Sequence, residues 1–152
     1  DAGVDILLLE TMNSIAETEA ALIAMEKFNL PVWASFVLND PYHLLSGDSI
    51  IDTLKVIKHF SVDCVMLNCN PLDKTLLAVD SIVDNWGGLW GVYPNLGVGE
   101  PSHDGKIVNF EEMNDYISIM KKIIKKGPFI LGACCGSSTN HIDELIKLRN
   151  KL

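Results

Sequence analysis

No apolar run in the 152 residues approaches the roughly 18 needed for a membrane-spanning helix, and no basic-then-apolar leader opens the chain. Basic residues are scarce: twelve Lys and Arg against twenty Asp and Glu leave a formal charge of -8, which repels phosphate backbones and anionic lipid. Nucleic acid and membrane are therefore not expected partners, and a cytoplasmic location is the default expectation. No Gly-x-Gly-x-x-Gly follows an apolar run and no Gly-x-x-x-x-Gly-Lys-Ser/Thr occurs, so dinucleotide and nucleoside triphosphate binding have no motif. Cysteine is sparse, with four residues, which argues against a disulfide framework. Hydrophobic residues at 48% and charged residues at 21% are ordinary for a folded globular domain, which excludes a disordered or low-complexity chain.

Short apolar runs alternate with helix-period stretches. Residues 5–10 form a near-continuous apolar run of the kind expected of a buried parallel strand. Ser14 with Glu17 three residues on is a capping box, and Ala21, Leu22 and Met25 supply an apolar stripe before Asn29-Leu30-Pro31. The alternation repeats four times. Strand 32–38 leads to a helix near 49–60. Strand 64–69 leads through Asn70, as N-cap, and Pro71 to helix 72–84. Strand 89–95 enters a long loop with Gly97, Gly99, Pro101 and Gly105, then a helix opened by Asn109 with Glu112 as its box partner. Strand 129–134 passes Gly136 and Ser137 to a last helix capped by Ser138.

Five strand-helix units of about 30 residues predict an α/β protein with a parallel sheet. Two architectures fit: a five-stranded open doubly wound sheet, or most of a (β/α)8 barrel, which needs roughly 250 residues. Residues 1–152 show no internal domain boundary. The chain opens on Asp1 in what reads as the approach to a strand already under way, so a piece of a longer protein is expected.

Ligands gather at the carboxyl ends of parallel strands, here Glu10, Ser35 to Asn39, Asn68-Cys69, Tyr93-Pro94-Asn95 and Cys134-Cys135. Cys64 and Cys69, five apart, point to opposite faces, and Cys64 reads as a small buried hydrophobe. Cys134 and Cys135 can face one point only if the backbone turns, and Gly132 and Gly136 flank them. A bent clip of two thiolates on one metal is one reading, with Cys69 as third ligand: three thiolates leave a zinc position open, as in catalytic sites. A pair of core cysteines and a vicinal disulfide are the others. Asn95 could hydrogen-bond a substrate or hold its loop, and Asn68 orients its neighbourhood. Trp90 and Tyr93 could meet a cationic methyl group or pack in the core. His43, His59, His103 and His141 lack metal spacing, and Lys121, Lys122, Lys125 and Lys126 read as a solvated helix end.

Leu9-Glu10-Thr11, Pro31-Val32-Trp33-Ala34-Ser35-Phe36, Leu67-Asn68-Cys69, Val92-Tyr93-Pro94-Asn95-Leu96-Gly97 and Gly132-Ala133-Cys134-Cys135-Gly136-Ser137-Ser138 followed by His141-Ile142 resemble the homocysteine S-methyltransferase family. That family includes betaine- and S-methylmethionine-dependent enzymes and the homocysteine module of cobalamin-dependent methionine synthase. The chain departs from its pattern at Ala133, where glycine is usual, at Ser137 and Ser138 for two threonines, and at Thr139 for a proline. The resemblance implies the C-terminal five units, strands four to eight, of a barrel lacking its first three units. It implies zinc on Cys69, Cys134 and Cys135, homocysteine bound as thiolate, Glu10 on the substrate amino group, and methionine as product. The methyl donor would be S-methylmethionine, betaine, S-adenosylmethionine or methyltetrahydrofolate, and Val92-Tyr93-Pro94-Asn95 looks more like the S-methylmethionine branch than the betaine branch. Exposed strands at both edges would open a route to a homo-oligomer. The alternatives are a non-catalytic zinc-binding fragment and a thiol redox protein using the Cys134-Cys135 pair.

Overall fold

The computed structural model describes residues 3–98, 103 and 109–150. In chain order its elements are β1 (Leu7–Met12), α1 (Ile15–Met25), β2 (Val32–Phe36), β3 (Leu38–Asp40), β4 (His43–Leu44), α2 (Ile50–Ile57), β5 (Cys64–Asn68), α3 (Leu72–Asn85), β6 (Leu89–Tyr93), α4 (Met113–Ile124), β7 (Ile130–Leu131) and α5 (Thr139–Arg149). Five strands make one all-parallel sheet in the order β1-β2-β5-β6-β7, and β3 and β4 form a small antiparallel hairpin outside it.

The strand order decides between the two expected architectures. A doubly wound sheet reverses its order at a switch point and carries helices on both faces. Here each strand lies beside its predecessor in the sheet, without reversal. Leu9, Val32, Ala34, Phe36, Val65, Leu67, Trp90 and Val92 point to one face and share a single core with buried residues of all five helices, such as Leu22, Leu54, Val79, Met120 and Leu145. Full burial of such a side chain contributes about 1.5–3 kcal/mol, so this face carries the stability. The opposite face presents Leu8, Trp33, Met66, Leu89 and Ile130, of which Leu8 and Leu89 are each 44% exposed. The open doubly wound alternative is thereby excluded.

Local chemistry explains the helix starts. Ser14 Oγ accepts from the Glu17 N–H and Ser49 Oγ from the Asp52 N–H, while the Glu17 carboxylate accepts from the Asn13 N–H at 2.8 Å. Three fully buried threonines, Thr18, Thr53 and Thr75, each donate to the carbonyl four residues back, at Ser14, Ser49 and Pro71, which satisfies the hydroxyl without an outside partner.

Several boundaries differ from expectation for identifiable reasons. The first strand begins at Leu7, opposite Val32 at the start of β2, with its N–H donating to Pro31 O. The second stops at Phe36, and residues 38–44 turn into the β3–β4 hairpin, where Asp40 Oδ1 accepts the N–H groups of Tyr42 and His43. Asn70 does not cap α3: Pro71 is the N-cap, and the Asn70 side chain accepts from Leu38 N–H at 2.7 Å and donates to Phe36 O at 3.1 Å. Asn109 does not open α4, because an antiparallel bridge from Gly97 to Phe110 holds this stretch extended and Glu112 becomes the N-cap. Gly99, Pro101 and Gly105 lie outside the described residues. Ser138 caps α5 as expected, with His141 as box partner, its Nδ1 accepting the Ser138 N–H.

Candidate metal centre

β5 delivers Cys69 and β7 delivers Cys134 and Cys135. Cys69 follows the last ladder residue, Asn68, in a left-handed conformation (φ 53°), unusual for a residue with a Cβ and held only where its surroundings over-determine it. Two bonds do so: its N–H donates to Tyr93 O, and its carbonyl accepts from Asn95 Nδ2. Next to it the Asn95 N–H donates to Asn70 O at 3.0 Å. The turn after β5 is thus tied to the loop after β6 by main-chain and amide bonds.

β7 is shorter than expected, two residues instead of six, because the chain leaves the ladder at Gly132 and bends. A Cβ on Gly132 would sit 3.0 Å from Tyr93 Cβ. Cys134 N–H donates to Pro94 O, Cys135 O accepts from Leu96 N–H, and Ser137 N–H returns to Cys134 O, closing a turn that Gly136 completes at φ 81°. That bend turns two adjacent cysteines toward one point.

Cys69, Cys134 and Cys135 are the one cluster of metal-ligating side chains among the described residues, their sulfurs all within 4.8 Å of one another. Cys135 Sγ stands 3.9 Å from Cys134 Sγ and 3.9 Å from Cys69 Sγ, close to the spacing of about 3.8 Å that sulfurs adopt on one tetrahedral zinc. The Cys69 and Cys134 sulfurs are in direct contact, with Cα atoms 5.7 Å apart. Sulfurs joined in a disulfide would have no thiolate to give a metal, so metal binding requires these side chains reduced. The donor set fits zinc once reduced. Cys64 is fully buried, with its thiol pushed up to about 11 by burial and, next, by Asp63, and takes no part.

On the open face a polar row caps the apolar layers. Ser35 Oγ donates to Asn68 Oδ1 at 2.6 Å, and Asn68 Nδ2 donates to Thr11 Oγ1 at 2.8 Å. Thr11, immediately after Glu10, is left-handed at φ 64°, and such strained positions cost about 1–3 kcal/mol each. Tyr93 Oη is buried without a hydrogen-bond partner among the described residues. Burial above all, opposed by Ser35 and reinforced by the Glu10 carboxylate, pushes this phenol up to about 12, so it is a neutral donor at physiological pH. Glu10 is exposed beside it. Asn95 uses Nδ2 on Cys69 O and Oδ1 on Gly97 N–H, leaving one amide hydrogen and one lone pair for a ligand. Trp90 packs in the helix-side core, away from this face. Ser35 lies at a strand end and Thr11 follows Glu10, but nothing in the sequence pairs them with Asn68 or assigns Asn70 to Phe36 and Leu38; Asn68-Cys69-Asn70, a cysteine between two amides, is the pattern that could have pointed to these supports.

A family model described as homocysteine S-methyltransferase matches residues 1–148. Homocysteine S-methyltransferase 2 of Zea mays is 29% identical over 99% of this chain and 46% of its own length. Homocysteine S-methyltransferase of Escherichia coli is 26% identical over 95% of this chain and 48% of its own length. The chain thus spans about half the length of these relatives. Among solved structures, the apo form of the Escherichia coli homocysteine methyltransferase MmuM superposes with a TM-score of 0.80 at 23% identity, over 97% of this chain and 51% of that one. Its metallated form gives 0.79 at 24%, over 95% and 45%. The fold is shared.

Proposed function

The chain belongs to the homocysteine S-methyltransferase family, and from that premise we propose that the protein it forms part of transfers a methyl group from a small donor to the sulfur of homocysteine, giving methionine. The observation that carries this reading is the convergence of the Cys69, Cys134 and Cys135 sulfurs within 4.8 Å at the carboxyl ends of the strands. Zinc held by these three residues would supply the Lewis acidity that deprotonates a thiol at neutral pH and keeps its sulfur nucleophilic. Glu10 pairs with the substrate ammonium through a charge-assisted hydrogen bond. Asn95 offers its free hydrogen-bonding capacity to the substrate while holding Cys69. Tyr93, neutral, presents a phenol O–H on the same face. Much of the rate comes from positioning thiol and donor in line.

The 152 residues supply the C-terminal five βα units of a (β/α)8 barrel. The unreversed strand order, the single helix-covered face and the half-exposed apolar opposite face support this reading. No helix among the described residues is long and apolar enough to cross a membrane, and the acidic balance agrees with a cytoplasmic enzyme that binds neither membrane nor nucleic acid.

The test uses the complete protein, reduced and loaded with zinc, given homocysteine and each of S-methylmethionine, betaine, S-adenosylmethionine and methyltetrahydrofolate. Methionine should form with one of them. Cys134→Ser should lose both the metal and the activity, and full activity in a metal-free Cys134→Ser protein defeats the proposal. Since the chain is about half the length of its relatives, a second reading is a zinc-binding segment without activity of its own. Methionine formation by the 152-residue chain alone would dismiss it.

A further inference from the structure

The polar row of the open face contains more than a substrate contact needs. Ser35, Asn68 and Thr11 come from β2, β5 and β1, three adjacent strands, and form one continuous relay. Ser35 is fully buried and Asn68 only 1% exposed, so these bonds are shielded from competing water. The direction of the relay is fixed: the Ser35 hydroxyl hydrogen is committed to Asn68 Oδ1, which leaves the Asn68 amide to donate outward to Thr11 Oγ1. The residue it grips is one of two left-handed non-glycine residues among the described residues. The register of β1 against β2 also shifts there, between Leu9 and Met12. The bulge ends the alternation of β1 one residue after Glu10, so the backbone at Thr11 sets the direction in which the Glu10 carboxylate leaves the strand.

We propose that Thr11 and Asn68 are positioning residues for Glu10: the Ser35–Asn68–Thr11 relay locks the left-handed bulge and so holds the Glu10 carboxylate where the substrate ammonium binds. This inference rests on the proposed function, since it assigns Glu10 its role. An alternative purpose, simple stabilisation of the sheet, predicts a different pattern. A relay that served only the fold would lower stability and apparent kcat through the amount of folded protein, would leave KM unchanged, and would not depend on whether Glu10 carries a charge.

The experiment takes the complete zinc-loaded protein and compares Thr11→Val, which keeps the shape and loses the hydroxyl, with Thr11→Ser, which keeps the hydroxyl. Thr11→Val should raise KM for homocysteine about tenfold with kcat and zinc content unchanged, and Thr11→Ser should remain within about twofold of wild type. In a Glu10→Gln background, Thr11→Val should add less than about twofold, because the carboxylate it serves is gone. Ser35→Ala breaks the relay at its other end and should raise KM in the same direction, which keeps the test open if Thr11→Val does not fold. A wild-type KM in both Thr11→Val and Ser35→Ala, or a full multiplicative effect of either on Glu10→Gln, overturns the inference while leaving methyl transfer intact. A wild-type protein that forms no methionine overturns the proposed function itself, before any substitution is made.

Discussion

Asn95 donates from Nδ2 to the carbonyl of Cys69 while its Oδ1 accepts the Gly97 N–H at 2.9 Å. One amide therefore ties the strained turn that presents Cys69, a candidate metal ligand, to the loop that receives Cys134 and Cys135, whose main chain bonds to Pro94 and Leu96 on either side of Asn95. The cluster is held by backbone bonds between loops, and the side-chain amide is the piece that a substitution can remove.

Asn95→Ala should cost about 1–3 kcal/mol, since it leaves part-buried groups on Cys69 and Gly97 without partners. Zinc affinity should fall roughly 10–100-fold, the usual effect of losing a group that orients a ligand. Chemical denaturation and a zinc competition titration measure the two. Unchanged zinc affinity would show that the main-chain bonds alone hold Cys69.

Gly136→Ala places a Cβ at φ 81° and 2.5 Å from the Phe110 ring. The left-handed conformation costs about 1–2 kcal/mol, and the ring must also move. The turn after Cys135 should open, lowering both the melting temperature and zinc affinity. Calorimetry with and without excess zinc checks this: the stabilisation conferred by zinc should shrink in the variant.

Asp48 couples the loop after β4 to the start of α1. Its carboxylate accepts the Ile15 N–H and the Ser46 hydroxyl, each at 2.8 Å, and these bonds, the Ile15 N–H first, hold its pKa below the ordinary carboxylate value. A folded-state pKa lowered in this way contributes stability that is present above the unfolded value, about 3.9, and lost as pH falls through the folded value. Asp48→Asn should lower the melting temperature at neutral pH, and its difference from wild type should close as pH drops below the carboxylate range. A constant difference down to acid pH would assign the effect to shape and not to charge.

The elements are legible in the sequence because they rest on local chemistry. The capping serines Ser14, Ser49 and Ser138, the apolar stripes and the glycines at bends each act within a few residues, and the α/β class with five parallel strands follows from their alternation. Expectation fails where a distant partner decides. Asn70 has the sequence context of a cap but serves Phe36 and Leu38, more than thirty residues away, and Asn109 has the same context but is held extended by a bridge from the preceding loop.

The candidate ligands can be named from sequence, since three cysteines at strand ends are a chemical statement that needs no coordinates. Which cysteines meet cannot. Cys134 and Cys135 are neighbours in the chain, yet Cys69, from another strand, joins them, because strand order brings the ends of β5 and β7 to the two sides of the loop after β6. Likewise the chain could be an open sheet or a barrel segment on its periodicity alone. Residue alternation records that a strand has two faces, and only the order of the strands and the placing of all five helices on one side show that the second face was left open. Sequence thus determined the chemistry available at each strand end, through residue type and local backbone preference. Tertiary structure decided which of those ends face one another, because that depends on contacts between residues far apart in the chain.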